Sequence, residues 1–76
     1  MRFEVVVELK PEVLDAEGRA IKEALQRSGA QGLLDICVSK RFVLEVDDSK
    51  SPSYVETLAR DFLANPVSEK FRIAQI

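Results

Sequence analysis

Leu33-Leu34-Asp35-Ile36-Cys37-Val38-Ser39-Lys40-Arg41-Phe42-Val43-Leu44-Glu45-Val46-Asp47 is the stretch on which the fold turns. In residues 33–39, Leu34, Ile36 and Val38 alternate with Leu33, Asp35, Cys37 and Ser39; in residues 41–47, Phe42, Leu44 and Val46 alternate with Val43 and Glu45. A period of two is the pattern of a strand whose successive side chains point to opposite faces. Only Ser39 and Lys40 separate the two runs, so the stretch predicts two antiparallel strands joined by a tight hairpin, with Lys40 and Arg41 at its tip.

Upstream, Gly29 supplies a helix stop, and the apolar stripe Ala20, Ile21, Ala24, Leu25 before it has helical spacing. Glu23 and Arg27 are placed to pair at i,i+4 on the exposed side. Asp15 offers its carboxylate to the free amides of Glu17 and Gly18 as the N-cap, and Pro11 ends whatever ladder precedes it. That ladder is residues 2–10, where Phe3, Val5, Val7 and Leu9 face one way and Glu4, Val6 and Glu8 the other. Downstream, Ser51-Pro52 reads as an N-cap with proline at the first helical position, followed by the stripe Val55, Leu58, Ala59, Phe62, Leu63. Asn65 is suited to a left-handed cap and Pro66 forbids continuation, so the helix closes near Ala64; residues 70–76 then form a last strand with Phe71 and Ile73 on one face.

The order strand, helix, strand, strand, helix, strand predicts an α+β, ferredoxin-like βαββαβ fold. It would be a single domain over residues 1–76, a four-stranded antiparallel sheet with both helices on one face. The covered face would take Phe3, Val5, Val7, Leu34, Ile36, Phe42, Leu44, Val46, Phe71 and Ile73. The open face would carry Val6, Leu33, Cys37, Val43, Ala74 and Ile76, which is more apolar than a solvated sheet needs and predicts a subunit interface. Lys40 and Arg41 read either as a solvated turn or as a pair that would hold a partner's carboxylate.

Composition narrows the function. A chain of 76 residues buries only roughly 60% of its unfolded surface, and scaffolds this small usually lean on disulfides, a metal or a partner. Cys37 is the only cysteine and histidine is absent, so neither an intrachain disulfide nor a Cys/His metal site can be built. Association is what remains. Eleven Lys and Arg against thirteen Asp and Glu give a net charge of −2 with signs interspersed, which lacks the basic stripe a nucleic-acid partner requires. No apolar run approaches the ~20 residues of a membrane span and no export signal opens the chain, so the expected location is the cytoplasm.

Catalytic chemistry is poorly supplied. Without histidine, carboxylates would have to do acid–base work, and they fall mainly on outward positions and caps. Cys37 has no base to activate it. A heavy-metal carrier of this topology would need Cys-x-x-Cys after the first strand, where the chain reads Lys10-Pro11-Glu12-Val13-Leu14-Asp15. An acylphosphatase-like phosphate cradle is opposed by Asp15 and Glu17, and the phenylalanines an RNA-recognition sheet would display share the core register instead.

Val13-Leu14-Asp15-Ala16-Glu17-Gly18-Arg19-Ala20-Ile21 resembles the V-L-D-x-x-G-x-A-I signature of PurS, the small subunit family of phosphoribosylformylglycinamidine synthase. In family order follow Ala24-Leu25 with Gly29, the segment Val38-Ser39-Lys40-Arg41-Phe42-Val43-Leu44-Glu45-Val46, similar to G-K-x-x-x-L, and Phe62-Leu63-Ala64-Asn65-Pro66-Val67-Ser68-Glu69, similar to L-L-A-N-P-V-I-E. The chain departs from the pattern at Ser39 (commonly Gly), Val38 (Arg), Ala16 (Pro) and Lys70-Phe71 (acidic residue and Tyr). The resemblance implies a non-catalytic subunit of purine biosynthesis that assembles a large synthetase subunit with a glutaminase subunit and supports ammonia transfer. ATP, magnesium and glutamine would be used by those partners, none being bound by this chain, and the chain itself would associate as a dimer or tetramer. The competing expectation is a free-standing ferredoxin-like module sensing a small molecule at a dimer seam, which calorimetry with small metabolites would reveal.

Overall fold

The computed structural model describes residues 1–76, and its elements run β1 (Arg2–Leu9), α1 (Ala16–Arg27), β2 (Ser39–Glu45), α2 (Pro52–Leu58, continuing as a π turn over Ala59–Leu63) and β3 (Glu69–Gln75). The architecture is α+β with an antiparallel sheet of three strands in the order β2-β1-β3. β1 is central: Val5 pairs with Phe42 on one side and Ile73 on the other, and Val7 lies opposite Lys40 and Phe71. Antiparallel partners share a face, so Phe3, Val5, Val7, Phe42, Leu44, Phe71 and Ile73 all point to the same side.

The expected four-stranded sheet is therefore corrected to three strands, because residues 33–38 form no strand and Ser39-Lys40 is part of β2 rather than a hairpin tip. Two causes are visible. A two-residue hairpin needs positive φ at its turn, and only Gly29 and Gly32 adopt positive φ in this chain. The Val38 amide, moreover, donates to Asp15 Oδ2 at 2.9 Å, which ties the segment to the start of α1 instead of letting it fold back on β2.

The core lies between the sheet and α2. Phe3, Val5, Val7, Val55, Ala59 and Ala64 are buried, with Phe42, Leu44, Val46, Leu63, Phe71 and Ile73 packed around them. At about 1.5–3 kcal/mol per fully buried aliphatic or aromatic side chain, this cluster supplies the main cohesion of the sheet unit. Phe62, expected in the α2 stripe, is 79% exposed. The Ala64 amide bonds the Ala59 carbonyl at 2.9 Å, an i to i−5 link that adds a residue to the turn and breaks the 3.6 spacing beyond Ala59.

α1 departs further from expectation, since only Gly18 of its twelve residues is buried. Ile21 and Leu25, expected on the sheet, are exposed, as is Leu34. Its ends are nonetheless well made. Asp15 caps the N-terminus, and Gly29 closes the C-terminus in a Schellman arrangement, with Ala30 N–H on the Leu25 carbonyl at 3.0 Å and Gly29 N–H on the Gln26 carbonyl at 3.2 Å. Glu23 pairs with Arg19 at 3.6 Å rather than with Arg27, an exposed contact of little weight. The chain measures 51 × 25 × 14 Å with a radius of gyration of 15.9 Å. A compact chain of this length would have a radius near roughly 11 Å.

Candidate interaction surfaces

α1 and residues 33–38 form an arm that projects from the sheet unit, and Asp15 and Gly18 form its root. Asp15 Oδ1 accepts the Gly18 amide at 2.8 Å and Oδ2 the Val38 amide at 2.9 Å. These two amide bonds, the Gly18 one first, hold the Asp15 carboxyl below the ordinary carboxylate range. Gly18 is needed here for space: a Cβ would stand 2.6 Å from Asp15 Oδ2 and 2.9 Å from the Ile36 carbonyl oxygen. Farther out, Gln26 Nε2 donates to the Leu33 carbonyl at 3.2 Å. The cap was legible from residue type; its second bond, to Val38, joins residues 23 apart and has no local signal.

No backbone amide or carbonyl of residues 33–38 bonds another backbone group. The Ile36 amide turns to the carboxylate of neighbouring Asp35 at 2.8 Å. Leu34 is 85% exposed, and Leu14, Ile21 and Leu25 are exposed with it. Strand-patterned backbone without a ladder, beside uncovered aliphatic side chains, is an unfinished surface.

The sheet face away from α2 is a second surface. Val6 and Val43 lie on it with Ala74, flanked by Arg41 on Glu4 at 2.9 Å and Lys70 on Glu8 at 3.7 Å. Of the residues predicted for the open face, the structure brings Val6, Val43 and Ala74 together, and Arg41, expected at the hairpin tip, joins them there. Leu33, Cys37 and Lys40 are placed elsewhere. Lys40 pairs with Val7 and so belongs to the opposite face, whereas Leu33 and Cys37 sit in the arm, off the sheet. Arg41 is not a hairpin-tip cation but is engaged by Glu4 of its own chain.

Asn65 and Pro66 shape the turn into β3. No residue other than glycine has positive φ, so Asn65 is not a left-handed cap. It organises the turn instead: its side chain accepts the Val67 amide at 3.0 Å, its carbonyl the Glu69 amide at 2.8 Å, and its own amide donates to Glu69 Oε1 at 2.7 Å. The Pro66 carbonyl accepts Lys10 Nζ at 2.8 Å, linking this turn to the end of β1. Ser51 bonds the Ser53 hydroxyl at 2.6 Å rather than a helix amide, so it is not a side-chain cap.

The largest depression, about 560 Å³, is an open trough between residues 11–15, α1 and residues 35–37, with Arg19, Lys22, Glu12 and Asp35 at its rim. No three Cys, Asp or Glu side chains converge as a metal site, and no helix is long and apolar enough to cross a membrane. The class these features define is a small α+β interaction protein: a sheet unit with one uncovered face, carrying an arm whose apolar and backbone groups await a neighbour.

Comparison with known proteins makes the class particular. The family model PurS, phosphoribosylformylglycinamidine (FGAM) synthase, matches residues 2–75. The phosphoribosylformylglycinamidine synthase subunit PurS of Mycobacterium leprae is 42% identical over 74 residues, spanning 97% of this chain and 94% of the relative. The crystal structure of Methanocaldococcus jannaschii PurS, one of the subunits of formylglycinamide ribonucleotide amidotransferase in the purine biosynthetic pathway, aligns with a TM-score of 0.86 at 29% identity, over 96% of this chain and 92% of that one. A chain of PurLQS from Thermotoga maritima, 22% identical, shares the fold at a TM-score of 0.74 over 99% and 95% of the two chains. The chain belongs to the PurS family.

Proposed function

We propose that this chain is the small, non-catalytic subunit of phosphoribosylformylglycinamidine synthase in purine biosynthesis, acting in the cytoplasm. It assembles the large synthetase subunit with the glutaminase subunit, so that ammonia released from glutamine reaches formylglycinamide ribonucleotide activated with ATP. ATP, magnesium and glutamine are handled by those partners. The chain contributes surfaces and associates with itself. Family membership supports the activity, and the M. jannaschii relative is named as one subunit of the amidotransferase. The observation that supports the assembly role is the arm, whose Ile21, Leu25 and Leu34 side chains are exposed and whose residues 33–38 form no backbone ladder within the chain.

The geometry suits such a part. β1, bonded on both edges, gives a stiff plate, and the Glu4–Arg41 and Glu8–Lys70 pairs fix the charge pattern around Val6 and Val43 on its open face. Charges held this way orient a partner more than they tighten it. The test is glutamine-dependent synthesis reconstituted from the large and glutaminase subunits with and without this chain. Amidation that needs the chain, with none from the chain alone, is the expected result; equal rates in its absence would overturn the proposal.

A further inference from the structure

We infer that Arg72, beside Val6 on the open face of the sheet, is the docking point for a carboxylate presented by a partner subunit of the assembly, from an acidic residue set among aliphatic ones. This deepens the subunit role proposed above and rests on it. The strand register places seven charges on that face, and six of them have a counterpart: Arg41 on Glu4 at 2.9 Å, Lys70 on Glu8 at 3.7 Å, and Arg2 opposite Glu45. Arg72 is the seventh. It is exposed, and it makes no ion pair within the chain.

The surplus cation sits at the middle of the face. Arg41, Val6 and Arg72 form one row across the three strands, so two arginines flank a half-buried valine from strands about 10 Å apart. Glu4 engages Arg41 through Nε, whereas Arg72 keeps its whole fork for a newcomer. A carboxylate arriving over Val6 reaches Arg72 with Arg41 alongside, and a planar guanidinium can hold it by two parallel bonds. Val6, with Val43 and Ala74 on the same face, offers the aliphatic contact that excludes water from such a pair. Sign selects the partner. The face has one more cation than carboxylate while the chain as a whole carries −2, so an acidic segment is drawn to this face and turned away from the rest. A second copy laid on with aligned strands would set the arginine row against itself, so a different polypeptide fits better.

The test measures, by sedimentation, binding of the full-length chain to the purified large synthetase and glutaminase subunits together. Arg72→Ala is expected to weaken binding about 10- to 100-fold, and Arg72→Lys less, since the charge is kept and the fork lost. Val6→Glu supplies the carboxylate from the chain itself and should weaken binding as much as Arg72→Ala does. Self-association and circular dichroism of the chain alone should be unchanged in all three. Unaltered binding by Arg72→Ala would overturn the docking point, as would an equal loss in Lys50→Ala, whose cation lies over the Tyr54 ring instead of on this face. Lost self-association with partner binding intact would overturn it too, by placing a second copy on the face. The two readings fail separately. If the unaltered chain binds neither subunit and amidation proceeds without it, the subunit function falls and the docking point falls with it. If the unaltered chain binds and is needed while the Arg72 variants behave as it does, the docking point alone falls.

Discussion

Val5 on β1 and Leu34 in the arm are both aliphatic residues of alternating segments, yet Val5 is fully buried and Leu34 is 85% exposed. The sheet unit satisfies its strand pattern within one chain, whereas the arm has the pattern without the partner. Alternation thus specifies a two-faced strand and leaves open which polypeptide supplies the neighbouring strand. In a chain this small the distinction bears on function, because a scaffold of this size usually leans on a partner for stability.

Breaking the finished region should have the largest effect. Phe3→Ala, at a position 2% exposed, is expected to lower stability by about 3–5 kcal/mol in denaturant titration. Retention of most of the stability would mean that the sheet unit is not where the chain's cohesion lies. Next comes the root of the arm: Gly18→Ala forces a Cβ within 3 Å of Asp15 and of the Ile36 carbonyl, an overpacking that costs about 1–3 kcal/mol. Its signature is faster exchange of the Val38 amide with β1 amides unchanged, and uniform loss across both regions would contradict the separation drawn here.

Those two regions were unequally legible in the sequence. The faces of β1, the Asp15 cap and the Gly29 stop follow from residue type and spacing, and each is present. The missing fourth strand was not legible, because residues 33–38 alternate as well as β1 does and nothing local reveals that Val38 is held by Asp15. Phe62 was misplaced for a related reason, the π turn changing the helical period inside an unbroken apolar pattern. Of the surface residues, Val6 and Val43 kept their assigned face, while Leu33, Cys37 and Lys40 inherited their errors from the hairpin that does not form.

Acid sharpens the same contrast more gently. Asp15 titrates below the ordinary value of 3.8 in the folded chain because the Gly18 and Val38 amides favour its charged form. The folded state therefore binds this proton less readily than the unfolded state. The contribution of Asp15 is complete above the ordinary value and is lost as pH falls through the lowered one. Asp47, through the Ser49 amide, and Asp48, through the N-terminal ammonium, shift the same way at another site, so Asp15→Asn is the control that isolates the arm. Methyl spectra recorded against pH should show the arm loosening in acid before the sheet, and that order should vanish in Asp15→Asn. The smallest effect belongs to the open face, where a double-mutant cycle on Glu4 and Arg41 should return about 0.2–1 kcal/mol, as expected for an exposed pair. A larger coupling would show that this face is already stiffened in the isolated chain.

Amide hydrogen exchange followed across a dilution series reads both regions in one experiment and addresses the central claim, that the sheet unit is completed within the chain while the arm is left open for association. Amides of residues 33–38 should be protected at high concentration and lose that protection on dilution, while the β1 amides of Val5 and Val7 stay slow throughout. Arm amides equally protected at every concentration, or unprotected even when concentrated, would contradict it.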